Sequence, residues 1–287
     1  MKDLVILGAS GLIGSEFVAR TTDPVIAVHR SPMRSAPATA ELVPTKDLFT
    51  LDWVGAVPKT ATILHCAGLS NPRLDDRNAA LVEAQGNIRM IEELQYLGWT
   101  GHLVLLSSAA VYGNPGPTPI TETARTQPVS SYGKAKLGLE RSIHAHLGPR
   151  LTILRLSSVY GSDMAQEGQG VIKILKDAIR SEASFNLYGN GLTARDYLHV
   201  SDVCAALLSA SRTCPGGVLN IGTGRATTTK ALLDLTRRIT GRPLRIRAHP
   251  AAAEAGSTVL DPSKARGILT WQPKITLEDG LRRYFKS

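Results

Sequence analysis

Short apolar runs alternate along the chain with stretches in which apolar residues return every three or four positions. Leu4 to Leu7, Val25 to Val28, Thr62 to His65 and Leu103 to Leu106 are too short for helices and predict buried strands, and Glu41 to Pro44 predicts a further short one. Phe17 and Val18 after Gly14, and Leu81, Ala84, Ile88, Ile91 and Leu94, follow helical spacing, the second set halted by Gly98. Leu232, Leu235 and Ile239 predict a helix stopped by Gly241, and Thr276 with Asp279 is placed to cap a last helix carrying Leu281 and Phe285. The Pro-, Ala- and Ser-rich stretch from Ser31 to Ala40 reads as a loop. Strands alternating with helices in this way predict an α/β fold built on a Rossmann-type, doubly wound parallel sheet. Ligands of such sheets lie at the carboxyl ends of the strands.

The first strand leads straight into Gly8-Ala9-Ser10-Gly11-Leu12-Ile13-Gly14. The expected roles differ by position. Gly8 turns the chain sharply, Gly11 lets backbone amides approach a pyrophosphate, and Gly14 lets the helix close onto the sheet. With Ser10, Leu12 and Ile13 these residues form the expected phosphate cradle at the positive end of a helix.

The second strand ends in His29-Arg30, where a carboxylate would accept from the adenosine ribose and mark NAD, whereas a cation can neutralise a 2'-phosphate. NADP(H) is therefore favoured over NAD(H). Asp47, followed by Leu48, can reach the adenine amino group. Cys66-Ala67-Gly68 supplies small residues where backbone passes near the cofactor.

The chemistry is expected just past the strand that runs into Ser107-Ser108. Ser130 and Ser131 cap a helix carrying Tyr132 and Lys136, four residues apart and so on one face. A phenol is a poor base at neutral pH, but an ammonium and a cationic nicotinamide beside it favour the phenolate. Tyr132 can then exchange a proton with a substrate hydroxyl or carbonyl while Ser108 holds that oxygen, with Ser107 on the cofactor side.

Composition narrows the alternatives. The chain of 287 residues is 43% hydrophobic and 20% charged, long enough for one large domain or two small ones. No apolar run is of membrane-spanning length and the N-terminus enters a strand at once, so a cytoplasmic protein with no membrane partner is expected. Cys66, Cys204 and Cys214 have no paired spacing, and His144 and His146 point to different faces of a helix, so neither a disulfide framework nor a metal site is expected. The net charge of +9 is scattered, and its one dense run, Arg237-Arg238 through Arg242, Arg245 and Arg247, has no interleaved aromatics, which speaks for a solvated face over a nucleic-acid site.

Taken together, these motifs resemble an extended short-chain dehydrogenase/reductase of the NAD(P)-dependent epimerase/dehydratase group, to which UDP-glucose 4-epimerase and many sugar-nucleotide reductases belong. The resemblance covers nearly the whole chain. It implies that Ser108, Tyr132 and Lys136 are the catalytic trio and that Lys136 also binds the nicotinamide ribose. Leu154 to Gly161 resembles the strand and loop leading into the family's substrate region. The segment Tyr188-Gly189-Asn190-Gly191, with Arg195 to Val203, resembles the one in which an arginine grips the nucleotide diphosphate and an aromatic contacts the base, here Arg195 and Tyr188. An ion pair of Arg195 with Asp196 or Asp202 is the competing expectation. Asn220 to Gly224 and Asp261 to Ala265 are family landmarks of expected structural value. The resemblance also implies homodimers through paired helices, with the segments around Leu81 to Leu94 and Tyr132 to Leu147 as candidates.

Three departures stand out. Ala251 to Gly256 offers no arginine where many sugar-nucleotide epimerases have a second diphosphate clamp. Glu83, or nearby Gln85, stands where the family often has an asparagine below the sheet. Ala109-Ala110 lacks the acid pair of sugar 4,6-dehydratases, which disfavours dehydration.

The expected organisation is a dinucleotide-binding domain over residues 1–160, with return segments near 192–222, and a smaller substrate domain from 161–191 and 223–287. The expected activity is an NAD(P)-dependent epimerase or ketoreductase acting on a nucleotide sugar by hydride and proton transfer. An NADPH-dependent reductase of a non-sugar carbonyl and a non-catalytic nicotinamide sensor are the alternatives.

Overall fold

The computed structural model describes residues 3–33, 35–68, 77–115, 119–161, 170–250 and 256–286, with backbone alone for 77–81. Its first half runs β1 (Leu4–Leu7), α1 (Leu12–Arg20), β2 (Val25–His29), β3 (Ala40–Pro44), β4 (Thr62–His65), α2 (Arg77–Tyr96), β5 (His102–Ser108), α3 (Ser131–Leu147) and β6 (Leu151–Leu156). The second half continues with β7 (Ser158–Tyr160), α4 (Val171–Arg180), β8 (Phe185–Tyr188), β9 (Ala194–Arg195), β10 (Tyr197–His199), α5 (Val200–Thr213), β11 (Gly217–Ile221), β12 (Thr227–Thr228), α6 (Thr229–Thr240), β13 (Ile246–His249), α7 (Ser263–Leu269) and α8 (Leu277–Lys286).

Seven strands form one parallel sheet in the order β11-β6-β5-β4-β1-β2-β3. The chain winds outward from β1 in both directions, so a crevice opens beside β1 at the carboxyl edge, where strand order reverses. In register, Leu7 pairs with both Val28 and His65, which brings the residues just past them, Gly8, His29 and Cys66, to one edge.

Both faces of the sheet are covered, as alternation along β1 shows. Leu4 and Ile6 join one core with Phe17 and Val18 of α1 and Val203 and Leu207 of α5. Val5 and Leu7 join the other with Met90, Ile91 and Leu94 of α2 and Leu139, Ile143 and Leu147 of α3. Strands buried on both sides read as continuous apolar runs, which is why they were legible as such. A third core gathers Ile172 and Leu175 of α4, Phe185, Leu232 of α6, Leu244 and Leu281 of α8, away from the main sheet.

The two late helices have the expected ends. Gly241 closes α6 in the left-handed conformation at φ +63°. Thr276 Oγ1 accepts from the Asp279 amide at 3.1 Å and donates to the Asp279 carboxylate at 2.6 Å, a reciprocal cap on α8. Among the described residues no helix is long and apolar enough to cross a membrane.

Candidate active site

The glycine loop is dictated by sterics at two positions and left open at the third. Gly8 has φ +79°, and a Cβ there would stand 2.7 Å from the Ala67 amide nitrogen, so β1 and the loop after β4 touch backbone to backbone. A Cβ at Gly14 would collide with the Gly8 carbonyl oxygen. At Gly11 it would meet only that oxygen, at 3.2 Å, leaving the space above the turn free. Gly11 caps α1 without any side-chain bond to the first-turn amides. Open backbone donors at a helix N-terminus, with a glycine keeping the approach clear, fit a dinucleotide pyrophosphate. Leu12 and Ile13 turn partly inward onto the core.

Ser10 ties this loop to the end of β2, its Oγ accepting from the Ser31 amide at 3.4 Å. His29 turns back to the backbone, with Nδ1 3.0 Å from the Ser31 carbonyl, while Arg30 is exposed. Asp47 is exposed too, and one of its carboxylate oxygens accepts from the Phe49 amide, capping the short turn that begins at Leu48.

Ser108 ends β5, and its Oγ accepts from the Ala110 amide at 3.1 Å. Ala110 is also the seat of α3, because a Cβ on Gly133 would stand 2.5 Å from the Ala110 carbonyl oxygen. Ser130 starts that helix by accepting from the Gly133 amide at 3.1 Å. One residue thus fixes the Ser108 hydroxyl through its amide and the backbone next to Tyr132 through its carbonyl. Tyr132 is half-buried and Lys136 buried, with Nζ 6.0 Å from the centre of the Tyr132 ring.

Around Lys136 the structure adds groups that sequence spacing did not join. A Cβ on Gly68, which has φ +127°, would strike Glu83 Oε1 and come within 3.2 Å of Lys136 Nζ, so carboxylate and ammonium flank the same glycine. Glu83 is buried and Gln85 exposed. Below them His65 Nε2 lies 2.5 Å from Asn87 Oδ1, and Asn87 Nδ2 donates to the Glu83 carbonyl at 2.8 Å. Burial, reinforced by the Lys136 charge, pushes His65 down to about 4, so the ring is neutral.

Ser107 faces the other way. Its hydroxyl donates to Glu140 Oε1 at 2.5 Å, and Arg155 holds both oxygens of that carboxylate. Arg155 also lies 4.8 Å from the Tyr112 ring centre, and Tyr112 donates to Asn220 Oδ1 at 2.8 Å. The Ser107 hydroxyl hydrogen is thus committed to Glu140. The signal for this network was in the sequence: Glu140 continues the four-residue spacing of Tyr132 and Lys136 along one face of α3.

On the substrate side, Tyr188 is exposed at the end of β8 and stacks on His249 of β13 with centroids 4.9 Å apart. Arg195 is half-buried, and its Nη1 donates to the carbonyls of Ala194 and Gly256. It does not pair with the neighbouring acids. Asp196 is buried and accepts from Thr223 and Gly224, while Asp202 accepts from the Lys274 and Ile275 amides. The Asn220 to Gly224 segment therefore has the structural role expected of it. The region 251–255, where the second clamp is lacking, lies outside the described residues.

A parallel sheet with a glycine turn at its switch point is the architecture of dinucleotide-binding α/β proteins. The chain belongs to the NAD dependent epimerase/dehydratase family, whose model matches residues 4–222. It is 31% identical over 229 residues to a putative UDP-glucose 4-epimerase of Methanocaldococcus jannaschii, covering 77% of this chain and 74% of the relative. Among solved structures it is similar to UDP-glucose 4-epimerase of Thermotoga maritima with UDP-glucose, at 27% identity and a TM-score of 0.84 over 100% of this chain and 98% of the other. It is similar also to MoeE5 in complex with UDP-glucuronic acid and NAD, at 28% identity and a TM-score of 0.86 over 100% and 98%.

Proposed function

We propose that the protein is a 4-epimerase of a nucleotide-linked sugar, a UDP-hexose by its similarity to UDP-glucose 4-epimerases, and that Tyr132, Ser108 and Lys136 carry the chemistry. The observation that carries this is the double use of Ala110, whose amide fixes the Ser108 hydroxyl while its carbonyl seats the helix bearing Tyr132. Because Ser108 Oγ accepts from Ala110, its own hydrogen is left to donate to a substrate oxygen. A nicotinamide cofactor held at the glycine turn of Gly8, Gly11 and Gly14 would supply the hydride acceptor, and later the donor, for C4. Tyr132 takes the proton of the C4 hydroxyl, leaving a C4 carbonyl. Ser108 donates to that oxygen and polarises it, and Lys136 places its positive charge beside the phenol. After the sugar presents its other face, Tyr132 returns the proton to the re-formed hydroxyl.

Residues 1–160, with the return segments near 192–222, serve in this account as the dinucleotide domain, and 161–191 with 223–287 hold the substrate. Tyr188, backed by His249, offers a ring to the base, and Arg195 a cation to the diphosphate. A sensor without catalysis has no use for a lysine buried under a tyrosine.

A second reading follows from Arg30. An exposed guanidinium at the end of β2 suits a 2'-phosphate. If NADPH is consumed and the oxidised sugar or another carbonyl arrives from solution, the same three residues make a reductase. Denaturing the purified protein and identifying the released nucleotide separates the two, since retained NAD supports the epimerase and an empty site that takes NADPH supports the reductase. Titration with UDP, GDP and dTDP tests the substrate class, and failure to bind all three overturns it.

A further inference from the structure

We propose that His249 is a positioning residue for the nucleotide base: it orders the Tyr188 ring before the nucleotide arrives, so that substrate affinity depends on it and the chemical step does not. This rests on the reading of Tyr188 as the ring that meets the base. The parallel ladder of β8 and β13 brings the residues together. Tyr188 and His249 are register partners, and Asn186 stands two residues before Tyr188, so all three share one face. The alternate residues, Phe185 and Leu187, join the third core on the other side. Their burial fixes which residues of β8 point outward.

The Tyr188 and His249 rings stack with centroids 4.9 Å apart and planes 23° apart. His249 Nε2 lies 2.9 Å from Asn186 Oδ1, and because a carbonyl oxygen only accepts, Nε2 carries the hydrogen of that bond. Asn186 thereby holds the imidazole against the phenol from the same strand. The backbone adds a further tie, since the Gly189 amide donates to the His249 carbonyl at 3.0 Å. Tyr188 keeps 57% of its surface exposed although His249 covers one face, which leaves the opposite face open. An exposed tyrosine with no neighbouring ring loses rotamer freedom when a ligand orders it, and that loss subtracts from affinity. Here the stack orders the phenol beforehand. A planar heteroaromatic base can then lie on the open face, where stacking is favourable whatever the base's hydrogen-bonding edge.

The test titrates UDP into the wild type, His249→Ala, His249→Phe, Tyr188→Ala and the double variant, and measures turnover of UDP-glucose. His249→Ala is expected to weaken UDP about fivefold and to raise KM alike, with kcat within about twofold. His249→Phe keeps a ring behind the phenol and is expected to stay within about twofold of wild-type affinity. Tyr188→Ala is expected to weaken UDP about tenfold, and adding His249→Ala to it should change nothing more, because the ring to be ordered is gone. Equal losses from His249→Ala with and without Tyr188, or a His249→Phe variant as weak as His249→Ala, overturn the inference, since a merely structural histidine behaves in that way. Wild-type affinity in His249→Ala beside weakened binding in Tyr188→Ala overturns His249 alone. If Tyr188→Ala binds UDP as tightly as the wild type, it is the assignment of the base contact that fails, and the role of His249 falls with it.

Discussion

Arg155 grips Glu140 with two parallel hydrogen bonds, Nε to Oε1 at 3.0 Å and Nη2 to Oε2 at 2.6 Å, inside the protein and one helical turn beyond Lys136 on α3. The pair joins β6 to α3, and Ser107 adds β5 through its hydroxyl. Removing one partner strands the other's charge in the interior. Glu140→Ala is expected to cost about 3–5 kcal/mol in urea unfolding. Replacing both partners by apolar residues of similar volume, as in Glu140→Leu with Arg155→Met, is expected to restore most of that loss, since the desolvation cost of both charges disappears.

Two glycines of the same turn are expected to fail in different ways. Gly14→Ala drives a methyl into the Gly8 carbonyl and should destabilise the fold by about 1–3 kcal/mol, seen as a lower unfolding midpoint. Gly11→Ala meets only one atom, at 3.2 Å, and should cost about 1 kcal/mol or less. Its added methyl stands where a pyrophosphate approaches, so dinucleotide affinity should fall by about tenfold or more, equivalent to about 1.4 kcal/mol. Isothermal titration of both variants separates a packing glycine from a binding one.

What the sequence made legible follows from range. The Thr62–His65 strand is the apolar run itself, and the Tyr132–Lys136 pair is visible because one helical turn joins them. The β5 ladder, by contrast, continues through Ser107 paired with Arg155 and Ser108 paired with Leu156, two polar residues past the end of its apolar run. Helix α2 likewise begins at Arg77, before the first apolar repeat at Leu81. Glu83 could be named as a departure from a family pattern, but not placed. Its approach to Lys136 depends on a positive-φ glycine in a third element. Arg195 was legible as a cation, whereas one of the two backbone carbonyls that hold it, that of Gly256, comes from a loop some sixty residues later.

Acid should weaken the protein through His65. Its folded-state value is depressed to about 4 from 6.5, chiefly by burial. Above 6.5 the ring is neutral in both states and the stability is fully present. As pH falls from 6.5 to 4 the unfolded chain takes up a proton that the folded one refuses, and about 3 kcal/mol is lost. Burial lowers His199 as well, in the same sense. Urea midpoints measured across this window should fall more steeply in the wild type than in His65→Gln, and equal slopes would remove His65 as the cause.

Cofactor choice is expected to turn on Arg30. Its guanidinium is exposed at the end of β2, beside the Ser10–Ser31 bond that ties strand to glycine loop. Arg30→Asp replaces a cation suited to a 2'-phosphate with a carboxylate suited to a ribose. It should lower NADPH affinity by about tenfold and spare NADH or improve it, a change of about 1.4 kcal/mol. Fluorescence titration of both reduced cofactors measures the ratio, and an unaltered ratio would show that Arg30 is only surface charge.

In the proposed reaction one phenol moves the substrate proton, and a single comparison of Tyr132→Phe with the wild type addresses it. With UDP-glucose as substrate, turnover should drop by about 10²–10⁴-fold while the affinity for the nicotinamide cofactor stays within a few-fold, because the ring and its packing are kept. Turnover equal to that of the wild type would contradict the account.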